Sequence, residues 1–366
     1  MFPMPLSLVS RTKHLGRLSN TKISSRSISI LNKTFVQGEY NNSADIDTAI
    51  ATVKKYDPSA YLPGLLLPTK ETRVAYFAIR SFWIESGLRF AKKKEHSSIS
   101  SSKQIPGIGQ RDIQIPDDER IQFWRDGIND IVQESNNSTH ENSTLRLLQH
   151  VVQKHELSSD YLYGIIEGRE IDVNTKNYAS ISSLENHVEL SCVNLLNLVL
   201  EAGGIRNHGS DENQIIFLAS KHVGIAHGLT NALRLSVPTA SSTGKVIIPQ
   251  DLCEKHEIKS PRYLLSALGM GDEECKLHLQ NAVSDIVDVA RQHLVEARKM
   301  RNDVVNVDKG SYAIRAFLPA ITSETFLDRL EEHNFDLTDR SLRNVGSLEH
   351  LKCIHRLVSA SIRNEY

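Results

Sequence analysis

The chain has 366 residues, 40% of them hydrophobic, so it is long enough to bury one large core or two ordinary ones. Its net charge of −1 is uneven, because residues 1–38 carry six basic residues and no acid, which leaves −7 for the remainder. An acidic body disfavours nucleic-acid partners, and the absence of any run of about 18 uncharged apolar residues argues against a membrane span.

The first segment, residues 1–38, is basic, free of acids and rich in Ser, Leu and Ile. Its charges are Arg11, Lys13, Arg17, Lys22, Arg26 and Lys33. This composition is typical of an amphipathic mitochondrial targeting presequence. A disordered basic tail is the alternative interpretation, whereas a secretory signal fits less well because no apolar region follows the charges.

The body that follows shows helical spacing of apolar residues and almost no strand signal. Helices are predicted at 45–56, from Pro68 onward, and at 119–134, 145–154, 158–170, 184–202, 213–235 and 282–300. Residues 96–118 are rich in Ser, Gly and Pro, and residues 134–144 are polar, so both are predicted to be flexible loops. The sequence therefore predicts one all-α domain over 45–345, followed by a C-terminal helical tail over 346–366.

Residues 221–252 read KHVGIAHGLTNALRLSVPTASSTGKVIIPQDL and contain a recognisable ordered pattern. The pattern is carried by Gly224, Ala226, Leu229, Thr230, Asn231, Leu233, Arg234, Gly244, Lys245, Ile248, Pro249 and Asp251. It resembles the second signature of the squalene/phytoene synthase family, in which the motif D-x-x-x-D directly follows the arginine. The two aspartate positions of that signature fall on Leu235 and Thr239.

Two further blocks are similar to the same family. In residues 74–88 Arg80 matches the first signature, but its paired acids fall on Trp83 and Ile84, and Glu85 lies nearby. The middle block is carried by Gly168, Asp172, Tyr178, Leu184 and Gly204, and His187 stands where the family tends to place an aromatic residue.

The resemblance implies an isoprenoid-synthase-like helical bundle whose metal-binding acids are missing. Ionisation of a prenyl diphosphate needs Mg²⁺ held by carboxylates at i, i+4 on facing helices, and the residues at the four positions cannot replace them. The remnant pocket candidates are Arg80, Glu85, Asp172, Asn231 and Arg234. A structural alternative is that Arg234 and Asp172 pair inside the bundle, since buried charges persist only when partnered.

Acids elsewhere do not rebuild the site in the sequence. Asp126 and Asp130, like Asp285 and Asp288, lie opposite the apolar stripe of their helices, which indicates a solvated outer face. The adjacent acids at 117 and 118 precede a helix and are predicted to cap it.

Histidines and cysteines give no metal-site pattern either. His222 and His227, like His350 and His355, are five residues apart, so each pair points in different directions on a helix. The four cysteines are far apart and include no C-x-x-C pair. No metal and no cofactor are therefore predicted.

A narrower resemblance rests on several ordered blocks, namely QFWRDGINDIV, REIDVNTKNYASISSLENH, GIAHGLTNALR, KVIIPQDLCEKH and AFLPAITSETFLDRLE. Together they are similar to a mitochondrial branch of the family, the complex I assembly factors. This implies a non-catalytic role in early assembly of respiratory complex I on the matrix side of the inner membrane. The implied partners are complex I subunits or assembly intermediates, with peripheral membrane contact, although no basic amphipathic helix in the body demands such contact. The alternatives are an isoprenoid-binding protein and a prenyl-diphosphate transferase with a rebuilt metal site.

Overall fold

The computed structural model describes most of the chain after the N-terminal segment. The described residues are 42–87, 91–92, 113–114, 116–133, 140–175, 177–207, 211–243, 247–258, 272–308, 311–343 and 346–366. The predicted presequence at 1–38, most of the predicted loop at 96–118 and residues 134–139 lie outside this range. So do Gly244 and Lys245 of the second signature.

The prediction of an all-α fold is confirmed. The α-helices are α1 (Ser43–Tyr56), α2 (Pro58–Leu65), α3 (Lys70–Gly87), α4 (Asp117–Val132), α5 (Ser143–His155), α6 (Ser159–Asn174), α7 (Ile181–Val188), α8 (Asn194–Ala202), α9 (Gln214–Thr243), α10 (Gln250–Lys255), α11 (Glu273–Lys299), α12 (Arg301–Val307), α13 (Tyr312–Ala316), α14 (Pro319–Glu332), α15 (Arg340–Arg343) and α16 (Ser347–Arg363). A π-helical segment (Glu189–Val193) joins α7 to α8, and a 3-10 turn (Asp211–Asn213) precedes α9. A two-residue antiparallel pair joins β1 (Ala91–Lys92) to β2 (Ile113–Gln114).

Two helix starts differ from the sequence-based expectation. α4 begins at Asp117, so both acids at 117 and 118 lie in its first turn, and the capping position is occupied by Pro116 without a side-chain hydrogen bond. The prediction that these acids cap the helix was therefore wrong, although carboxylates in a first turn still favour the positive end of the helix dipole. α5 begins at Ser143, because Asn142 Oδ1 accepts a hydrogen bond from the Leu145 N–H.

The long helix α9, 30 residues, forms the centre of the bundle and packs against α7, the π segment, α11 and α14. Gly224 is required for this packing, because a Cβ there would lie 2.8 Å from the Val193 Cα of the π segment. The second-signature residue Asp251 contributes at the edge of the bundle by accepting a hydrogen bond from the Ile181 N–H at 3.1 Å, at the start of α7. Several signature residues are thus helix-packing and capping positions.

The segment 346–366 is attached to the body. Leu357 and Ala360 of α16 pack against Leu318 and Ile321. The ring of Tyr366 is buried, and its hydroxyl donates to the Ala297 carbonyl at 2.8 Å. Within the described part of the chain, no helix is long and apolar enough to cross a membrane.

Gly224→Ala tests the close approach of α9. We expect it to lower the free energy of unfolding by about 1–3 kcal/mol, because the added methyl group meets main-chain atoms that cannot rotate away. Gly168→Ala is the matched control, since its Cβ would lie at an ordinary 3.5 Å from Ser191 Cβ in the same π segment. Denaturant unfolding measures both, and equal losses would contradict this account of Gly224.

Candidate functional site

A buried ion pair lies where α2, α3 and α9 meet. Asp57, between α1 and α2, accepts hydrogen bonds on Oδ2 from Arg80 of α3, with the Arg80 Nε at 2.8 Å. Its other oxygen accepts from the Ser59 hydroxyl at 2.7 Å. Arg80 is 2% exposed and Asp57 8%, so both charges depend on each other for compensation.

His227 connects this ion pair to α14. Its Nε2 lies 2.9 Å from an Arg80 terminal nitrogen and 3.0 Å from the Asn231 amide nitrogen, which are both donors. Its Nδ1 lies 3.1 Å from the Ser323 hydroxyl, which itself donates to the Pro319 carbonyl at 2.9 Å. These partners assign a neutral imidazole with the proton on Nδ1, because Nε2 faces only donors and Ser323 is left to accept.

Arg234 closes the network into a ring. Its Nη1 donates to the Asn231 Oδ1 at 2.9 Å and to the Ser59 hydroxyl at 3.1 Å, and Ser59 in turn donates to Asp57. The guanidinium also lies over the Phe326 ring, 4.9 Å from its centroid. Three candidates taken from the sequence, Arg80, Asn231 and Arg234, therefore belong to one hydrogen-bonded ring; we call it the Asp57 ring, comprising Asp57, Ser59, Arg80, His227, Asn231 and Arg234.

The electrostatics of the Asp57 ring follow from burial and from its two guanidiniums. Burial by itself raises the pKa of Asp57, but Arg80, His227, Ser59 and Arg234 together hold it well below its usual range. Burial and the neighbouring Arg80 lower the pKa of His227 to about 3, so the imidazole is neutral at physiological pH. The carboxylate of Asp57 thus compensates the charges of both Arg80 and Arg234, and a third positive charge on His227 is disfavoured.

Asp172 lies in a second cluster and does not pair with Arg234. Its oxygens are 3.0 Å from His187 Nε2, 3.4 Å from an Arg169 terminal nitrogen and 3.4 Å from the Tyr178 hydroxyl. The proposed Arg234–Asp172 pair was therefore wrong. Asp172 is instead paired with residues of its own sequence block, since Arg169 lies three residues before it on α6 and His187 lies on the next helix, α7.

Trp83 joins the two clusters. The Arg80 and Arg169 guanidiniums each lie 4.9 Å from the centre of its ring, and Arg169 donates to its carbonyl oxygen at 2.6 Å. Guanidiniums are attracted to the negative face of an aromatic ring. The position at which the signature resemblance predicts a lost acid is therefore occupied by an indole that contacts two cations.

The three other predicted acid positions and the candidate Glu85 are dispersed. Ile84 is buried, Leu235 is 48% exposed and Thr239 is half-buried. Glu85 lies apart from both clusters and accepts from the Thr52 hydroxyl at 3.3 Å, and burial raises its pKa. The five pocket candidates thus separate into three groups.

The acids considered as replacements lie on the surface or have other partners. Asp126, Asp130 and Asp288 are exposed. Asp285 is half-buried and pairs with Lys255 at 2.8 Å and His256 at 2.6 Å. None of these acids belongs to the clusters around Trp83 or Asp57.

These residues do not fit a Mg²⁺ cluster. Trp83, Ile84 and Leu235 have no oxygen in their side chains, and Asp172, in the cluster beside Trp83, is already paired with Arg169 and His187. Mg²⁺ requires near-octahedral oxygen coordination, which an indole and two guanidiniums oppose. Among the described residues, no three His, Cys, Asp or Glu side chains are placed to hold a metal ion. His222 contacts His293 at 2.8 Å and thus has different partners from His227.

Comparison with known proteins agrees with this fold. A family model described as squalene/phytoene synthase matches residues 53–348. A squalene synthase from Alicyclobacillus acidocaldarius has the same fold, with a TM-score of 0.58 at 13% identity over 80% of this chain and 95% of its own. A dehydrosqualene synthase also gives 0.58, at 15% identity over 87% and 96% of the two chains. The chain belongs to the squalene/phytoene synthase family.

Curated relatives identify a branch within the family. The human protein named NADH dehydrogenase (ubiquinone) complex I, assembly factor 6 is 28% identical over 94% of this chain and 88% of its own length. The Drosophila melanogaster homolog of that name is 30% identical over 80% and 77% of the two chains. The resemblance to the complex I assembly factor branch is thereby confirmed.

Sequence reasoning missed Asp57, Ser59 and His227 as members of the ring. Asp57 precedes a proline and resembles an ordinary turn residue, and Ser59 lies 175 residues before its partner Arg234. The one signal available was the retained arginine at Arg80, because a buried guanidinium requires a carboxylate partner.

The Asp57–Arg80 pair can be tested by a double-mutant cycle. Asp57→Asn and Arg80→Met are each expected to lower the free energy of unfolding by about 3–5 kcal/mol, because each leaves an uncompensated buried charge. The double variant should lose less than the sum of the two. The exposed Asp126→Asn is the control, expected within about 0.5 kcal/mol of the parent. Additive losses would show that the two charges are not coupled.

The neutral state of His227 predicts a pH dependence of stability. An unfolded histidine binds a proton near pH 6.5, whereas the folded one does so only near pH 3. The unfolded state therefore binds more protons in this window, and stability falls as the pH is lowered from 6.5 towards 3, by up to about 1.4 kcal/mol per pH unit.

Chemical denaturation between pH 7.5 and pH 4.5 measures this slope. His227→Gln should reduce it, since glutamine does not titrate, whereas the exposed His350→Gln serves as the control for loss of a histidine. An unchanged slope in His227→Gln would contradict the assignment of the neutral imidazole.

Proposed function

We propose that this chain is a non-catalytic assembly factor for mitochondrial respiratory complex I, acting at an early stage on the matrix side of the inner membrane. The names of the human and Drosophila melanogaster relatives support the complex I role. The basic, acid-free segment 1–38 supports import into mitochondria. Its partners in this role are complex I subunits or assembly intermediates.

The single observation behind the absence of catalysis is the setting of Trp83. It stands at an acid position of the first signature and contacts two guanidiniums, which would repel a divalent cation. In addition, Arg80 and Asn231 both donate hydrogen bonds to His227, and Arg234 donates to Asn231, all within the Asp57 ring. The retained signature residues therefore have a structural role that explains their presence without a reaction.

Deletion of the gene is expected to reduce assembled complex I on native gels while complexes III and IV persist. The Asp172→Ala protein should restore assembly, because we assign no metal to this carboxylate. Asp126→Ala is the matched control, since it removes an exposed carboxylate on another helix. Failure of Asp172→Ala at normal protein level would count against the non-catalytic role, and normal complex I in the deletion strain would refute the assembly role.

Purified protein with Mg²⁺ and farnesyl or geranylgeranyl diphosphate should release no pyrophosphate. A squalene synthase with its acid signatures intact is the positive control for the assay. Turnover by this chain would support the transferase alternative with a rebuilt metal site. An isoprenoid that co-purifies in native mass spectrometry, without turnover, would instead support the lipid-binding alternative.

A further inference from the structure

Helix α16 presents an apolar stripe on its outer side. Leu348, Leu351, Val358 and Ile362 are 67%, 60%, 36% and 72% exposed. Together with the exposed His355 they recur at spacings of three and four residues, which places them on one side of the helix. No other described helix has more than two exposed large hydrophobic residues.

The opposite side of the same helix is already anchored to the protein. Leu357 and Ala360 pack on Leu318 and Ile321, so the stripe is not the side that α16 uses to join the bundle. From Leu348 to Ile362 the stripe is about 21 Å long. A continuous apolar surface of this kind is unfavourable in water and marks a surface that another phase or molecule covers.

A basic cleft borders the stripe. It has a volume of about 600 Å³ and is lined by residues of α11, α12, α14 and α16. Four arginines and two acids line it, namely Arg298, Arg301, Arg356, Arg363, Glu324 and Glu365. Its balance of charge is therefore positive.

Two of these arginines, Arg301 and Arg363, have a charge that is available to a ligand. Arg298 and Arg356 both pair with Glu324, at 2.6 Å each. Arg301 instead donates to the carbonyl oxygens of Asn364 and Arg363, and within the described residues neither Arg301 nor Arg363 pairs with a carboxylate. The cleft can thus accept an anion between Arg301 and Arg363.

The stripe and the cleft meet along one edge of α16. At about 100° per residue, Lys352, Arg356 and Arg363 follow one another along the edge of the stripe, and His355 belongs to both surfaces. Aliphatic residues bordered by basic ones match the boundary between acyl chains and anionic headgroups. A protein partner would have to supply both an apolar and an acidic strip in the same register.

We propose that α16 lies on a bilayer that contains anionic phospholipids. Leu348, Leu351, Val358 and Ile362 enter the boundary of headgroups and acyl chains, and a lipid phosphate binds in the cleft at Arg301 and Arg363. This inference rests on the proposed function for the choice of an inner-membrane surface, and it names the part of the chain that makes the contact.

Flotation of the full chain with vesicles tests the proposal. Vesicles of phosphatidylcholine mixed with phosphatidylglycerol should bind the protein at least about tenfold more tightly than phosphatidylcholine alone, since each basic residue near an anionic surface contributes. Added salt should weaken this binding. Equal binding to both vesicles would overturn the role of the cleft.

Matched variants separate the two surfaces. Leu351→Ser with Ile362→Ser, and separately Arg301→Gln with Arg363→Gln, should each weaken binding by about tenfold or more. The controls are Leu277→Ser, which removes an exposed leucine of α11, and Arg340→Gln, which removes an exposed arginine of α15. Melting curves verify that all variants are folded. Wild-type binding by the Leu351→Ser/Ile362→Ser protein would overturn the proposal.

Two further outcomes distinguish other sources of the same chemistry. Release from mixed vesicles by inorganic phosphate alone, with the Leu351→Ser/Ile362→Ser protein still binding as wild type, would mean that the cleft takes free phosphate, and it would overturn membrane docking. If the Leu351→Ser/Ile362→Ser protein binds vesicles normally but fails to restore complex I, the stripe contacts a protein and the proposal is wrong. Vesicle binding as expected in a chain whose deletion spares complex I would refute the proposed function alone.

Discussion

The buried contact between Asp57 and Arg80 is the constraint on which the centre of the bundle depends. One carboxylate compensates two guanidiniums, because Arg234 reaches it through Ser59 and Arg80 reaches it directly. Since α2, α3, α9 and α14 all contribute to the surrounding network, a change in the position of any one of them would leave a buried donor or charge without its partner. The neutral state of His227 follows from the same arrangement, as a third cation would have no acceptor.

This constraint gives residues of the family signatures a structural reason that requires no reaction. Arg80, Asn231 and Arg234 are needed for the Asp57 ring whether or not a metal binds elsewhere. Trp83, by contrast, adds no ligand and is held by cation–π contacts with Arg80 and Arg169. Packing residues such as Gly224 persist for a similar reason, because the main chain of the π segment leaves no space for a side chain.

The sequence predicted helices far better than contacts. Apolar spacing and the signature blocks were sufficient for the all-α class and for most helix positions, because both kinds of signal are local in the sequence. The π segment was not predicted, because nothing in its sequence, ELSCV, separates it from the helix predicted at 184–202. The basic amphipathic character of α16 was also missed in the sequence, because periodicity alone does not tell which side of a helix packs on the body and which side is exposed.

The amino-acid sequence by itself determined the fold family and the resemblance to the assembly-factor branch, since these depend on residue order alone. From the signature resemblance it also predicted that Trp83, Ile84, Leu235 and Thr239 stand at acid positions. Only the tertiary structure decided that Arg80 pairs with Asp57 and that Asp172 pairs with Arg169 and His187. It alone also separated the exposed stripe of α16 from the buried one. The physical reason is that burial and ion pairing depend on which helices meet, and residues such as Ser59 and Arg234 are brought together only by the folded chain.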